Sequence, residues 1–512
     1  MTSTTGTTLS TRRFLGCVDT PALLARTYTG NPLYTTPDAI DEIEAPFLAQ
    51  LEIGDLLFRD FKDIPLNKLS KQHKHSRLVL SARPLGKAAA GCDAGGMNVD
   101  THSGRRQVDV QAYLRRIAID RPRVVVAMAD EVGCAGRKRF HKAVERTQLW
   151  FHELVSKASK HGVEFTSSAD IRTSTTHSAP SGGGEHGTEN ESTETEAEEE
   201  EEEEEGKTAP IVLFGVALYH AQPAQSTQME VLIQHMLKSG AAGIVVGNLH
   251  MGECAAARAE AVRAVQAALP PGVPTMVQGA DTLRQVVHAL ALGVDLIGSN
   301  YPESLSSRGI AIALGGNLCS FIAPAPSPVP EQETGTSGVA SSLESGGVSV
   351  EANVMSQVAE VDVEVTGQET TEGDATTQVV EPGDRKRTAN SDSAPISKRQ
   401  RAEREQGGIP LTSTLLTKHG NCIDLTRSEL DLRDSKYARD PKPLVPGCTC
   451  HACRNHTRAY IHHLTLSKEM LAEVLLYHHN LHQLQQLFAA ARGHISRGTF
   501  AAWERQLSHL CE

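Results

Sequence analysis

Across the middle of the chain, short wholly apolar runs alternate with longer stretches in which apolar and polar residues recur at helical spacing. Residues 124–128 read as a strand, with a helix predicted over 138–160. Residues 211–215 read as a strand before a helix over 226–239, and 243–247 as one before a helix over 255–268. Residues 274–278 precede a helix over 283–292, and 294–299 closes the series as another strand. A strand with one wet face would alternate polar and apolar positions. These runs do not, so each is expected to be covered on both faces, as parallel strands under crossover helices are. Repeated strand–helix units without a glycine-rich dinucleotide fingerprint favour a (β/α)8 barrel over a doubly wound sheet. The expected class is α/β, an irregular TIM-type (β/α)8 barrel, with an open sheet as the alternative.

The 512 residues are more than such a barrel needs. Residues 179–206 hold thirteen Glu and no Lys or Arg, and 325–384 hold twelve acids and again no base. Such stretches repel themselves and have little apolar surface to bury, so they are expected to be disordered. The expected organisation is an N-terminal part of the barrel over 1–172, a disordered acidic insertion over 173–208 and the central barrel over 209–323. A second disordered insertion with a basic cluster follows over 324–408, and 409–512 holds the end of the barrel with a zinc subdomain. The net charge of −12 therefore sits in the insertions, and the remainder is basic. A basic body suits a polyanion such as nucleic acid, and equally suits ordinary surface scatter. Arg385-Lys386-Arg387 and Lys398-Arg399-Gln400-Arg401 have the form of a bipartite nuclear import signal, or of a solvated basic patch. No window approaches 18 consecutive apolar residues, so no membrane-spanning helix is expected.

Three of the ten cysteines, Cys448, Cys450 and Cys453, fall within six positions. A C-x-C-x2-C hook can wrap three thiolates around one zinc ion, whose tetrahedron needs a fourth ligand. His451, His456, His462, His463, His478, His479, His482 and Cys422 are all candidates, and spacing alone does not choose. Leu464, Leu471, Leu475, Leu481, Leu484 and Phe488 predict one long helix or two over 459–490, able to carry a histidine back over the hook. Three thiolates and an imidazole would leave no position open for water, so the zinc is expected to be structural.

The segment from Tyr437 through Pro443-Leu444-Val445-Pro446-Gly447-Cys448 to Arg454-Asn455-His456-Thr457-Arg458-Ala459-Tyr460 resembles the zinc region of the tRNA-guanine transglycosylase family. In that family the fourth ligand is a histidine of a His-Asn-Leu stretch. His479-Asn480-Leu481 stands at the matching distance, so the resemblance implies His479, and it implies a (β/α)8 barrel as well. Gly243 to Glu253 resembles a family loop with Asn248 in place of its second glycine. Ala129-Asp130-Glu131 resembles the pair whose Asp recognises the base, and Gly293 to Gly298 resembles the strand that delivers the nucleophile.

Family chemistry exchanges guanine in tRNA for a modified base through an Asp nucleophile on the ribose, with a second Asp handling protons. Here the nucleophile position is Gly298, and no Asp-Ser-Gly-Gly-Phe-Gln motif occurs. The nearest region, Asp100 to Arg106, lacks the glycine pair and the aromatic residue, and the base-recognition strand reads Phe214-Gly215-Val216. Asp295 lies three residues before Gly298, a shift of about 10 Å that also turns the side chain to the other face. No catalytic or substrate-binding residue is therefore assigned.

These losses resemble the family's non-catalytic accessory branch. That implies a partner, the catalytic queuine tRNA-ribosyltransferase subunit, in a heterodimer acting on tRNA. The implied reaction places queuine at the wobble position of tRNAs with GUN anticodons (Asp, Asn, His and Tyr). The implied location is the cytoplasm, with a peripheral place at the mitochondrial outer membrane. Two alternatives stand beside this reading: a zinc-dependent RNA-binding or scaffold protein, and an active transglycosylase using a non-standard carboxylate.

Overall fold

The computed structural model describes residues 9–28, 30–35, 47–57, 64–69, 76–83, 90–93, 95–101, 104–133, 135–166, 211–249, 253–314 and 428–510. The two expected insertions, the basic clusters and Cys422 lie outside the described residues.

Eight parallel strands form the centre: β1 (Ala22–Arg26), β2 (Phe47–Glu52), β3 (Ser76–Ser81), β4 (Val124–Val126), β5 (Ile211–Leu218), β6 (Gly243–Gly247), β7 (Thr275–Gln278) and β8 (Leu296–Ser299). Each pairs with the next, and β8 returns to β1 in the register Leu296↔Ala22 to Ser299↔Ala25. The sheet is closed, which removes the open-sheet alternative. Strands β1 to β3 were not among those read from the sequence. Every residue of β5 to β8 is buried, as two-sided covering requires.

Helices α1 (Val110–Asp120), α2 (Arg137–Ala158), α3 (Pro223–Lys238), α4 (Ala255–Ala267) and α5 (Leu283–Ala291) cover the barrel. Local chemistry sets their ends. Asp109 caps α1 by accepting from the Ala112 N–H at 2.7 Å, and Arg121 closes it in the left-handed region. Thr282 caps α5 by accepting from the Gln285 N–H at 3.2 Å. At the N-terminal end of the barrel, the hairpin Arg12–Phe14/Val18–Thr20 sets Phe14 edge-on to Phe214, ring centroids 6.0 Å apart. A Cβ on Gly243 would come within 2.4 Å of the Phe214 ring, so β6 carries glycine where that ring needs room.

After β8 come α6 (Tyr301–Ser306) and a ribbon in which Ile310–Ile312 pairs antiparallel with Glu429–Asp431. Then follow α7 (His451–Asn455), α8 (Arg458–Ser467), α9 (Met470–Ser496) and α10 (Phe500–Leu510). The helical pattern over 459–490 thus resolves into two helices, because Lys468 turns left-handed (φ 57°) at the end of α8. Helix α9 lies along β1: Arg492 donates to the Pro21 carbonyl at 3.0 Å and Tyr477 to the Arg26 carbonyl at 3.4 Å. Its first turns pack instead on a second apolar core that includes Leu432, Leu444, Ala452, Ile461, Leu475 and Leu476. One helix therefore belongs to both the barrel and the hook-bearing unit.

Candidate metal centre and barrel mouth

The hook begins at Gly447, whose φ of 80° turns the chain before Cys448. Cys450 precedes α7, and its sulfur accepts the Cys453 N–H at 3.4 Å, so this thiol also caps the helix. Arg458 fixes the approach, donating to Asp440 at 3.0 Å and to the Leu444 carbonyl at 2.8 Å. From α9, His479 Nδ1 comes to 3.8 Å from Cys448 Sγ and 3.4 Å from both Cys450 Sγ and Cys453 Sγ. All four ligand atoms lie within 4.8 Å of one another, in a position to hold a metal ion. Ideal zinc bond lengths give tetrahedron edges of about 3.6 Å between N and S. The observed spacings bracket that value, so this donor set fits the ion. Cys448 keeps part of its surface at solvent, while its sulfur lies with the buried group.

His479 is fully buried, and Nε2 donates to the Ile312 carbonyl at 2.8 Å. That bond leaves Nδ1 as the nitrogen for an ion, a common way of orienting histidine ligands. Gln483 donates to Cys448 Sγ at 3.3 Å. Burial opposes a charged imidazole, but the Cys448 and Cys453 sulfurs more than offset it and raise His479 to about 9. The Cys450 and Cys453 sulfurs push Cys448 down, and the Cys448 and Cys453 sulfurs hold Cys450 well up. A divalent cation removes that competition by making every sulfur a thiolate. The other described histidines do not join the group: His462 bonds the Leu432 carbonyl, His482 faces Thr449, and His456 stacks on Tyr460.

At the C-terminal mouth of the barrel lie Gly298 and Asp130, two positions that the resemblance matched to the family's site. Gly298 packs against the buried Gln50: a Cβ there would meet Gln50 Oε1 at 2.5 Å. Asp130 is bound by both Arg139 guanidinium nitrogens at 2.6 Å and by Arg146 at 2.9 Å. Burial works against its ionisation, yet those two arginines hold its carboxyl below the ordinary range. Asp295 lies at the opposite end of the barrel, accepting from the Thr275 N–H at 2.8 Å and its hydroxyl at 3.1 Å. Asp100 sits on an exposed hairpin and pairs with Arg105 at 3.1 Å.

Arg83 and Asp281, which sequence reasoning missed, join Glu131 and Asn248 at the mouth. Arg83 pairs with Glu131 at 2.8 Å and donates to the Leu249 carbonyl at 2.6 Å. Glu131 accepts the Asn248 N–H at 2.7 Å, and the Asn248 side chain accepts from Val132 at 2.9 Å. Asn248 takes φ 63°, a conformation asparagine tolerates better than most residues, so replacing a glycine there is physically consistent. Asp281, following β7, is raised to about 6 by burial. Glu131 and Asn248 lie in stretches that the resemblance picked out, but no local motif announced Arg83 or Asp281, whose surroundings form only when the strands close.

The sequence model of queuine tRNA-ribosyltransferase matches residues 222–321 and 411–511, stretches that include Gly298 and all four ligands. A queuine tRNA-ribosyltransferase of Ruegeria pomeroyi is 41% identical over 93 residues, 18% of this chain and 23% of that protein. The queuine tRNA-ribosyltransferase accessory subunit 2 of Anopheles gambiae is 42% identical over 81 residues, 16% of this chain and 19% of its own. The human accessory subunit 2 is 26% identical over 224 residues, 44% of this chain and 37% of its own. The matched stretch spans about a quarter of the length of the first of these relatives. Over these stretches the chain is similar to the queuine tRNA-ribosyltransferase family, including proteins named as its accessory subunit 2.

Proposed function

We infer that this chain is the non-catalytic subunit of a heterodimeric queuine tRNA-ribosyltransferase, holding one structural zinc on Cys448, Cys450, Cys453 and His479. The observation that carries this reading is Gly298. It stands where the family places its nucleophile, offers no side chain, and has Gln50 packed into the space a carboxylate would need. The engagement of Asp130 by Arg139 and Arg146 supports it further, since a carboxylate held by two guanidiniums is poorly placed to read a base. The assembly role draws support from exposed apolar side chains around the α8–α9 corner. Leu466, Met470 and Leu471 are all exposed there, with Met470 at 74%. Apolar side chains gathered beside the hook-bearing unit suit a protein partner. With that partner, the complex exchanges guanine for queuine at the wobble position of tRNAs with GUN anticodons.

The alternative of an active enzyme has its best carboxylate in Asp281, at the mouth and raised to about 6, the range in which general acids and bases work. One experiment separates the readings: pull-down of the purified chain with a catalytic transglycosylase, coupled to a base-exchange assay on tRNA. Partner capture, turnover only in the complex and unchanged turnover with Asp281→Asn are expected. Turnover by the chain alone, lost in Asp281→Asn, would establish the enzyme reading. Zinc and tRNA bound without partner capture would establish the scaffold reading.

A further inference from the structure

The ribbon Ile310–Ile312/Glu429–Asp431 joins parts of the chain more than a hundred residues apart. The Ala313 N–H donates to the Ser428 carbonyl at 2.7 Å, so the described residues on either side of 315–427 lie next to each other. Closing so long a loop costs conformational entropy, and a two-stranded ribbon of three pairs is marginal in water. Something packed on the ribbon must hold it.

Two consecutive residues of α9 do so. His479 Nε2 donates to the Ile312 carbonyl at 2.8 Å, and Asn480 Oδ1 accepts the Ile312 N–H at 2.7 Å. Asn480 Nδ2 donates to the Ile310 carbonyl and to Ser306 Oγ, both at 3.0 Å. The ribbon's first strand is thus gripped on both polar groups of Ile312. His479 is held in turn through Nδ1 by the three hook sulfurs.

We propose that the metal centre is a latch on the root of the 315–427 segment: the ion fixes His479, His479 and Asn480 fix Ile310–Ile312, and that strand keeps the two ends of the segment together. Asn480 is the positioning residue of this device, since it touches the strand and no ligand atom. Removing the ion leaves three crowded sulfurs with nothing to organise them, frees the imidazole and lets the ribbon open while the barrel stays closed. The inference rests on the metal reading of the four ligands and is independent of the subunit reading.

Hydrogen exchange on the full-length chain tests it, comparing zinc-loaded and chelated protein with the metal content measured in each. Peptides over Ile310–Ile312 and Glu429–Asp431 should exchange about tenfold faster after zinc is lost, while those over Ile211–Leu218 stay within about twofold. Asn480→Leu should keep one zinc per chain and show the same faster exchange at the ribbon. Unchanged ribbon exchange after measured zinc loss, or equal acceleration in Ile211–Leu218, overturns the latch. Slow ribbon exchange in Asn480→Leu overturns it too. A chain that binds no zinc at all overturns the metal reading with it.

Discussion

Placing an acid at Gly298 is the most direct test of how tightly the mouth is packed. In Gly298→Asp the new Cβ would lie 2.5 Å from Gln50 Oε1 and 3.5 Å from the Gln278 Cα. Exchanging the amide oxygen and nitrogen of Gln50 changes the chemistry of that contact but leaves the overlap. Gln50 is fully buried, so it must leave a packed position, an overpacking cost of about 1–3 kcal/mol. The carboxylate then sits in a buried layer and must lose its charge or its solvation, a further cost of about 2–3 kcal/mol near neutral pH. The sum is about 3–6 kcal/mol, which at roughly 2 °C per kcal/mol lowers the apparent melting temperature by about 6–12 °C. Gln50→Ala added to Gly298→Asp should recover part of that loss, because it removes the overlap and leaves the charge penalty. Scanning fluorimetry of the two variants, with a base-exchange assay on the same protein, gives the answer. A single variant melting within about 2 °C of wild type, or one that gains turnover without its partner, would refute the packing argument.

Asp281→Asn should stabilise the chain above pH 6. Burial raises the folded carboxyl to about 6, so the folded state holds its proton more tightly and stability falls as pH rises from about 4 to 6. The variant should gain about 1–2 kcal/mol at pH 7.5 and none at pH 4, read by melting across pH. Asp130→Asn should cost about 2–3 kcal/mol at neutral pH by stranding Arg139 and Arg146. Here the folded carboxyl is depressed, so its stabilisation is complete above the ordinary carboxylate range and disappears as pH falls below it. The gap between wild type and variant should therefore be full at neutral pH and narrow as pH falls below about 4, as urea titrations at stepped pH will show. Met470→Asp with Leu466→Asp should weaken partner capture at least about tenfold while shifting the melting temperature by less than about 2 °C, since both side chains are exposed.

The features legible in the sequence were those whose signal is local. Continuous apolar runs at β5 to β8 need only a few residues to show two-sided burial, and their strands fall close to where the pattern put them. The hook is compact, and the resemblance supplied its fourth ligand from α9. Strands β1 to β3 were harder to see because their apolar runs are short, broken by Gln50 in β2 and ended by Arg26, Glu52 and Ser81. Those polar residues point to the mouth or pair across it: Arg26 with Glu52 at 3.3 Å, Ser81 with Gln278 at 3.3 Å. A buried polar residue looks like a loop residue until its partner is known, and here the partners come from strands far apart in sequence. Asp130 was left without a role for the same reason. Its residue type matched the resemblance, while its environment depended on Arg139 and Arg146, in the first and third turns of the following helix α2.

Why the metal unit can persist while the mouth changes follows from how the two are joined. The hook and its apolar surround form a core separate from that of the barrel, and they meet it through α9 and the ribbon. Gly298 lies on β8, ahead of α6 and the ribbon, and its carbonyl accepts from Gly279 and Ala280 within the barrel. Exchanging the side chain at 298 alters packing against Gln50 and touches no ligand or ligand support. A change at His479, by contrast, reaches both the hook sulfurs and the ribbon, which it bonds from opposite sides of one ring. A change of residue at 298 should therefore be mechanically silent at the surface proposed for the partner, whereas removal of a bound metal should not. Chelation should abolish partner capture in a chain whose barrel still melts cooperatively. If the zinc-free chain bound its partner with unchanged affinity, the metal unit would have to be retained for something other than assembly.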